Sequence, residues 1–404
     1  MPEQLDTVIV GAGQAGLATS HELTRAGVPH TVLERGRVGQ TWRGLWDSFC
    51  LVAPNWTVQL PGAAYDGDDP DGFMARDEIV EYLERYARGL DAPVREGVDV
   101  ASLSANGRGF VLETSAGDIA ARRVVLSTGA YQRPHRPAGA GALGAGLLQI
   151  DAQGYRNPDR LPPGAVLVVG AGQSGCQIAE ELQEAGRETY LSCGRAPWLP
   201  RRIGGRDLAW WAVETGFMDA TASSLPAPAA RLAANLLSSG REGGRDLHLR
   251  TLHEAGVILL GRFAGAEGMR ARFAPDLQES LAWGDQRHAD FAKLVQKLVS
   301  DRGLRPVNLP DPEPLALAPP EQLDLSGFGA VIFAGGFRPD YTSWVNFPEA
   351  FDEHGFPLHT DGASTAVDGL YFVGVHFLRK RKSALLIGVG EDATIVSRHI
   401  ASRP

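Results

Sequence analysis

Val8–Gly16 reads VIVGAGQAG, and Leu167–Gly175, 159 residues later, reads LVVGAGQSG. The two stretches differ only by conservative exchanges. Each begins as a β-branched run and breaks at a glycine. In the first copy, Thr7–Val10 predicts a strand, and a helical pattern with apolar points at Leu17, Leu23 and Ala26 then stops at Gly27. His30–Leu33 predicts the next strand. The second copy is led in by Leu161–Gly164 (LPPG) and has the same order. A G-x-G-x-x-G loop between strand and helix is the context of a dinucleotide fingerprint. Gly11 and Gly170 permit the tight turn, Gly13 and Gly172 admit a pyrophosphate, and Gly16 and Gly175 let helix and strand pack closely. The free N–H groups of the helix N-terminus complete an anion site. One such motif is a weak signal, but two in the same context are a strong one.

The copies diverge after the glycines. The first reaches Glu34 at the end of its second strand, in VLERG. A carboxylate there accepts hydrogen bonds from ribose hydroxyls and repels a 2′-phosphate. The second reaches Cys193 at the equivalent position, in LSCGR, with Arg195 two residues on and Arg201 and Arg202 beyond. Loss of the acid and gain of arginine suit a 2′-phosphate, which a guanidinium grips with paired N–H donors. The first loop is therefore read as an FAD or NAD site and the second as an NADPH site. Two dinucleotides in one chain imply electron transfer between them, most simply hydride delivery from nicotinamide to flavin.

The rest of the chain frames these units. With 404 residues, two domains are the first expectation. Hydrophobic residues make up 44% and charged residues 22%, an ordinary balance for a globular chain with a large core. The net charge of −9 argues against nonspecific nucleic-acid or anionic-membrane binding. The three cysteines, Cys50, Cys176 and Cys193, form no C-x-x-C pair and no disulfide framework, which fits a reducing cytoplasm. Neither a signal peptide nor a membrane span is expected. After the first unit comes a loop with Trp42, Trp46 and Trp56, then an amphipathic helix at Arg76–Gly89. A Pro/Gly/Ala-rich passage begins at Arg133–Pro137 (RPHRP). Residues from about Arg206 to Asp301 read as mostly helical. Ala330–Ala334 and Gly369–Val375 read as buried strands with no helix-linked unit of their own. The chain is thus expected to be α/β with two Rossmann-like dinucleotide-binding domains, the second interrupting the first. Residues 1–130 and 329–404 form the FAD-binding domain, 131–160 a linker, and 161–328 the NADPH-binding domain with a helical insert at about 206–300.

These features together resemble the class B flavoprotein monooxygenases: flavin-containing monooxygenases, plant-type indole-pyruvate monooxygenases and Baeyer–Villiger enzymes. The resemblance rests on GAGQAG, on Gly170–Leu182 (GAGQSGCQIAEEL), on Thr128–Gly129 in VVLSTGAYQRPHRP, on Phe333–Asp340 (FAGGFRPD), and on the final GLYFVG and GVGEDA. It implies that Thr128–Gly129 and Ala334–Gly336 are the two crossings between domains. It also implies that NADPH reduces FAD, and that a C4a-(hydro)peroxyflavin then passes one oxygen atom of O2 to a small organic substrate. Amine nitrogen, sulfur, a ketone or a 2-oxo acid are the acceptors so implied. Residue by residue, motif and resemblance assign Gly11, Gly13, Gln14, Ala15, Gly16, Glu34, Arg35, Trp42, Thr128, Gly129 and Gly374 to FAD. They assign Gly170, Gly172, Gln173, Ser174, Gly175, Arg195, Arg201 and Gly335 to NADPH.

The departures from the family pattern are specific. Its F-x-G-x-x-x-H-x-x-x-[WFY] fingerprint survives here only at Tyr155, with Asp151 in place of the histidine and Ala145 in place of the phenylalanine. Gly335 stands where threonine is usual. Asn55 and Asp151 are the catalytic candidates, Asn55 as a hydrogen-bond donor near the isoalloxazine, Asp151 as support for NADP⁺ or as a modulator of protonation; for Asp151 a helix or turn cap is the competing reading. His376 reads as structural. Arg379–Lys382 (RKRK) reads as a solvated turn or as an attractor of an acidic substrate, and Trp210–Trp211 as a packed helix face or a lid. The alternative to monooxygenation is an NAD(P)H-dependent flavin oxidoreductase without oxygen insertion, either a quinone-type reductase or an NADPH oxidase. The expected partners are a small-molecule substrate and molecular oxygen, with a homodimer left open.

Overall fold

The structure is a computed structural model that describes residues 2–107, 109–129, 131–233 and 235–403. Two mainly parallel sheets dominate it. The first is built on β1 (Glu3–Val10), which leads through α1 (Gln14–Arg25) to β2 (His30–Glu34). Helix α2 (Arg76–Gly89) returns the chain to β3 (Val94–Glu96). A meander of β4 (Val100–Ala105), β5 (Phe110–Thr114) and β6 (Ile119–Leu126) follows, and β6 enters the sheet beside β1. The second sheet begins with β7 (Leu148–Asp151), which lies inside the stretch expected to be linker. Its centre is β8 (Ala165–Val169), joined by α3 (Gln173–Glu184) to β9 (Thr189–Ser192).

Beyond α4 (Leu208–Glu214) the chain makes short single turns, and then α5 (Leu249–Glu254) returns it to β10 (Ile258–Leu260). A second meander follows: β11 (Phe263–Glu267), β12 (Arg270–Phe273), the 26-residue α6 (Leu277–Arg302) and β13 (Gln322–Asp324). Strand β14 (Phe328–Phe333) then enters the second sheet beside β8. The segment from 206 to 300 is therefore not mostly helical. Ala271 and Phe273 are buried in a period-2 pattern and pair across a turn at Gly268 with a strand that buries Phe263 and Ala266 around a register shift at Gly265, which alanine-rich composition had masked. Near the end, β15 (Leu370–Phe372) joins the first sheet beside β6, and α7 (Val389–Ala401) packs on α1.

The two strand orders correspond. The first sheet runs β15-β6-β1-β2-β3, extended beyond β15 by the two-residue strands Ala363–Ser364 and His359–Thr360, and the second runs β7-β14-β8-β9-β10. Both are covered on both faces, as a parallel sheet requires. In the first, Ile9, Val32 and Val125 face α1, α2 and α7, while Val8, Val10 and Val124 face the meander. In the second, Val166, Val168 and Ile332 face α3 and α5, while Leu167, Val169 and Val331 face the other meander. The continuous apolar runs of these strands follow from that two-sided burial. No helix of the described residues is long and apolar enough to cross a membrane.

Candidate functional site

The first glycine loop sits where β1 ends and α1 begins. Gly11 has φ 106°, a left-handed conformation that only glycine adopts readily. A Cβ at Gly16 would lie 1.9 Å from the Gly11 carbonyl oxygen, so helix and loop touch backbone to backbone. A Cβ at Gly13 would meet nothing within 4 Å, which leaves open space above the start of α1. No side chain caps that helix, so its first N–H groups are free for an anion. Glu34 is buried at the end of β2. Its Oε2 accepts from Ala12 N at 2.9 Å and its Oε1 from Gly36 N at 2.9 Å. The carboxylate is thus fixed against the loop, and each of its oxygens keeps a further lone pair for a ribose hydroxyl. Gln14 donates to the Ala384 carbonyl at 3.1 Å and accepts from Trp42 Nε1 at 3.1 Å. Ala15 is buried and lies under Gly374, whose own Cβ would come within 2.4 Å of it. Ser127 Oγ donates to the Val10 carbonyl at 2.8 Å and brings Thr128–Gly129 to the loop. Arg35 projects outward, exposed.

The second loop repeats this geometry. Gly170 has φ 114°, a Cβ at Gly175 would lie 1.8 Å from the Gly170 carbonyl oxygen, and α3 begins at Gly172 without a side-chain cap. Gly170 N donates to the Ser192 carbonyl as Gly11 N does to that of Leu33, so Cys193 and Glu34 are structural equivalents. Gln173 bonds the backbone of Ser238 through both ends of its amide, and Ser174 lies half-buried on the first turn. Cys193 is sealed from solvent, whereas Arg195 is exposed and unpaired among the described residues. On their backbone both loops fit a dinucleotide. The first carries the fixed acid and the second an unpaired arginine.

Three site expectations change. Arg201 is buried, not poised for phosphate. Its Nε lies 2.9 Å from Asp207, its Nη1 donates to the Val52 carbonyl and to Ser238, and its guanidinium lies over Phe73. It ties the second unit to the loop that follows the first. Asn55 is equally committed. Its amide donates to the Asp69 carbonyl at 2.9 Å and accepts from Met74 N at 2.7 Å, which braces the loop between β2 and α2. Asp151 ends β7 and makes a paired contact with Arg136, at 2.8 and 2.9 Å. Arg136 in turn lies over Phe333, the last residue of β14. The pair fixes the first crossing to the second sheet, so Asp151 is a brace.

Gly335 has a matching explanation. A Cβ there would lie 2.4 Å from the His135 carbonyl oxygen. The two crossings form a short antiparallel ladder, Arg133–Pro134 with Phe337–Arg338, and the glycine lets them pass. Tyr341 locks the same place, its hydroxyl donating to the Gly129 carbonyl at 2.8 Å. Nothing in the sequence singled out Tyr341 or Ala384. The thiols take no part. Burial pushes Cys50, Cys176 and Cys193 above the usual thiol range, and each is a free cysteine. Trp46 packs in the second sheet's core, Trp42 against the first, and Trp211 in a cluster with Leu208 and Phe291.

A family described as pyridine nucleotide-disulphide oxidoreductase matches residues 8–203. An uncharacterized CzcO-like oxidoreductase of Geobacillus kaustophilus is 32% identical over 395 residues, 97% of each chain. Indole-3-pyruvate monooxygenase YUCCA1 of rice is 32% identical over 204 residues, 49% of this chain and 50% of its own. A flavin-containing monooxygenase from Stenotrophomonas maltophilia has the same fold, with a TM-score of 0.69 at 20% identity and 99% of each chain covered. The resemblance to flavin monooxygenases, and the fold it implied, are borne out.

Proposed function

Because the chain belongs to the family of CzcO-like oxidoreductases, we propose that it is an NADPH- and O2-dependent FAD monooxygenase acting on a small organic substrate. The acceptor atom is an amine nitrogen, a sulfur, or the carbonyl of a ketone or 2-oxo acid. The observation that carries the reading is the contrast at two equivalent strand ends. Glu34 is held by Ala12 N and Gly36 N on one side, and exposed Arg195 follows buried Cys193 on the other. FAD and NADPH are the pair that this contrast selects, one without and one with a 2′-phosphate. When bound, they supply hydride transfer and oxygen activation.

The chain's residues provide the rest. The N–H groups opening α1 and α3 take the two pyrophosphates. Glu34 holds the FAD ribose, and Arg195 holds the 2′-phosphate of NADPH. Gln14 and Trp42 fasten the flavin loop to Ala384. A dithiol relay finds no support, because all three thiols are buried and burial holds them protonated.

The test is a substrate screen with purified yellow enzyme, measuring NADPH consumption, oxygenated product and hydrogen peroxide in parallel. Under 18O2, the expected product carries one labelled oxygen per NADPH oxidised. Peroxide equal to NADPH across the whole screen, with no product, would make the enzyme an oxidase.

A further inference from the structure

Four consecutive basic residues, Arg379–Lys382, follow β15. Three of them are neutralised. Arg379 pairs with Asp361 and Asp392, and Lys380 and Lys382 each pair with both Asp219 and Glu391. The Arg381 side chain alone has no hydrogen bond and no ion pair among the described residues. Yet its Nε is sealed from solvent without a partner. Its guanidinium lies 4.2 Å from the ring centre of Phe217 and 4.7 Å from that of Phe377. Ring faces offset part of the lost hydration, and a half-buried guanidinium whose Nε is sealed without a partner leaves its terminal N–H groups for an anion.

The place matters as much as the charge. The Arg381 backbone N–H donates to Ala220 at 2.8 Å, so this turn is stitched to the segment that carries Phe217. Ala384, three residues on in the same turn, receives the Gln14 amide from the first glycine loop. Arg381 therefore stands where the second unit's excursion closes over the first unit's cofactor loop. Phe377 holds φ 55°, a conformation that a bulky side chain adopts only where its surroundings fix it. His376 adds a second unanswered group. Its Nε2 contacts the Arg231 carbonyl at 2.8 Å, so Nε2 carries the proton and buried Nδ1 presents a bare lone pair. The chain's net charge is −9, so an anion is drawn here only by a local cation.

We propose that Arg381 recognises the substrate through a carboxylate: the site takes a small organic acid whose apolar body lies against Phe217 and Phe377. The Nη1–Nη2 edge presents paired N–H donors in the geometry a carboxylate accepts. This rests on the flavin reading of the Gln14 loop.

The test titrates FAD-loaded enzyme with phenylacetate and hexanoate, each against its amide, by calorimetry and flavin absorbance. Each acid should bind more tightly than its amide. Arg381→Gln should weaken the acids by ~10-fold or more and leave the amides unchanged. Arg381→Lys should recover part of the loss, and Arg85→Gln, a remote charge control on α2, should change nothing. Bound flavin and NADPH affinity should be intact in Arg381→Gln. Their loss would assign the guanidinium to a cofactor and overturn the proposal. Equal binding of acids and amides, or full acid binding by Arg381→Gln, would also overturn it. If only peroxide forms while Arg381→Gln loses phenylacetate, oxygen insertion fails and the acid site stands. If product forms while acids and amides bind alike, the acid site fails and the function stands.

Discussion

The two sheets are one design used twice. Each places a glycine loop after its central strand, a helix after the loop, and a second strand beside the first. Each reaches a third strand through another helix, α2 in one and α5 in the other. Each then makes a meander and returns a strand to the far side of the centre. What differs is small and local: an acid against a cysteine at one strand end, and the source of the strand beyond the returning one. On the proposed function, the backbone decides that a dinucleotide binds, and a few side chains decide which one.

The sharpest way to break the comparison is at the closest backbone contacts. Gly16→Ala places a Cβ 1.9 Å from a carbonyl oxygen, and Gly175→Ala places one at 1.8 Å. Gly16→Ala should yield protein without flavin. Gly175→Ala should yield yellow protein that NADPH no longer reduces. Absorbance of the purified variants and anaerobic reduction check both, and loss of flavin from both variants would refute the assignment of the loops. Next in size is Cys193→Glu, which gives the second loop the first loop's acid, facing the equivalents of Ala12 and Gly36. Preference should move from NADPH towards NADH by roughly 100-fold in kcat/KM, through repulsion of the 2′-phosphate and a new ribose bond. Arg195→Ala is milder, with NADPH weakened about 10-fold and NADH unchanged. Equal effects on both would remove Arg195 from the phosphate site.

The smallest effect concerns the helices that reach the third strands. The N-terminus of α2 is closed by Glu78, which accepts from Ala75 N at 2.7 Å. That of α5 is closed by buried His248, whose Nδ1 accepts from Thr251 N at 3.3 Å. Burial pushes the His248 pKa down to about 4 from 6.5. The folded state thus holds a neutral ring while the unfolded chain takes up a proton. This contribution is complete above about pH 6.5 and fades as pH falls towards 4. Thermal melts at pH 7.5 and 5 should show a drop of a few degrees that His248→Asn, which keeps a cap acceptor, reduces. An equal drop in both proteins would refute this role.

The glycine loops and the strands and helices around them are legible in the sequence, because there a local pattern dictates the backbone. The sequence reading also placed α2 at its observed bounds, since that helix buries one clear stripe, Ile79, Tyr82, Leu83 and Tyr86. It missed β7, whose residues are half-exposed at a sheet edge and carry no apolar run. It gave Asn55, Asp151 and Arg201 to chemistry because polar residues near a motif look reactive in one dimension. Their partners, Met74, Arg136 and Asp207, become visible only when the chain is folded. The importance of Arg381 was hidden for the opposite reason. Four basic residues in a row look alike until three of them are seen to be paired.

The strands beyond the returning ones carry a consequence for biosynthesis. All five strands of the second sheet lie between Leu148 and Phe333, so that sheet can close once its last strand has emerged from the ribosome. The first sheet cannot. Until Leu370–Phe372 is made, the edge of Val124–Leu126 lies bare, and the first glycine loop lacks Gly374 and Ala384. The nascent chain must therefore carry an open strand edge through more than half of its translation, and its first glycine loop is completed last.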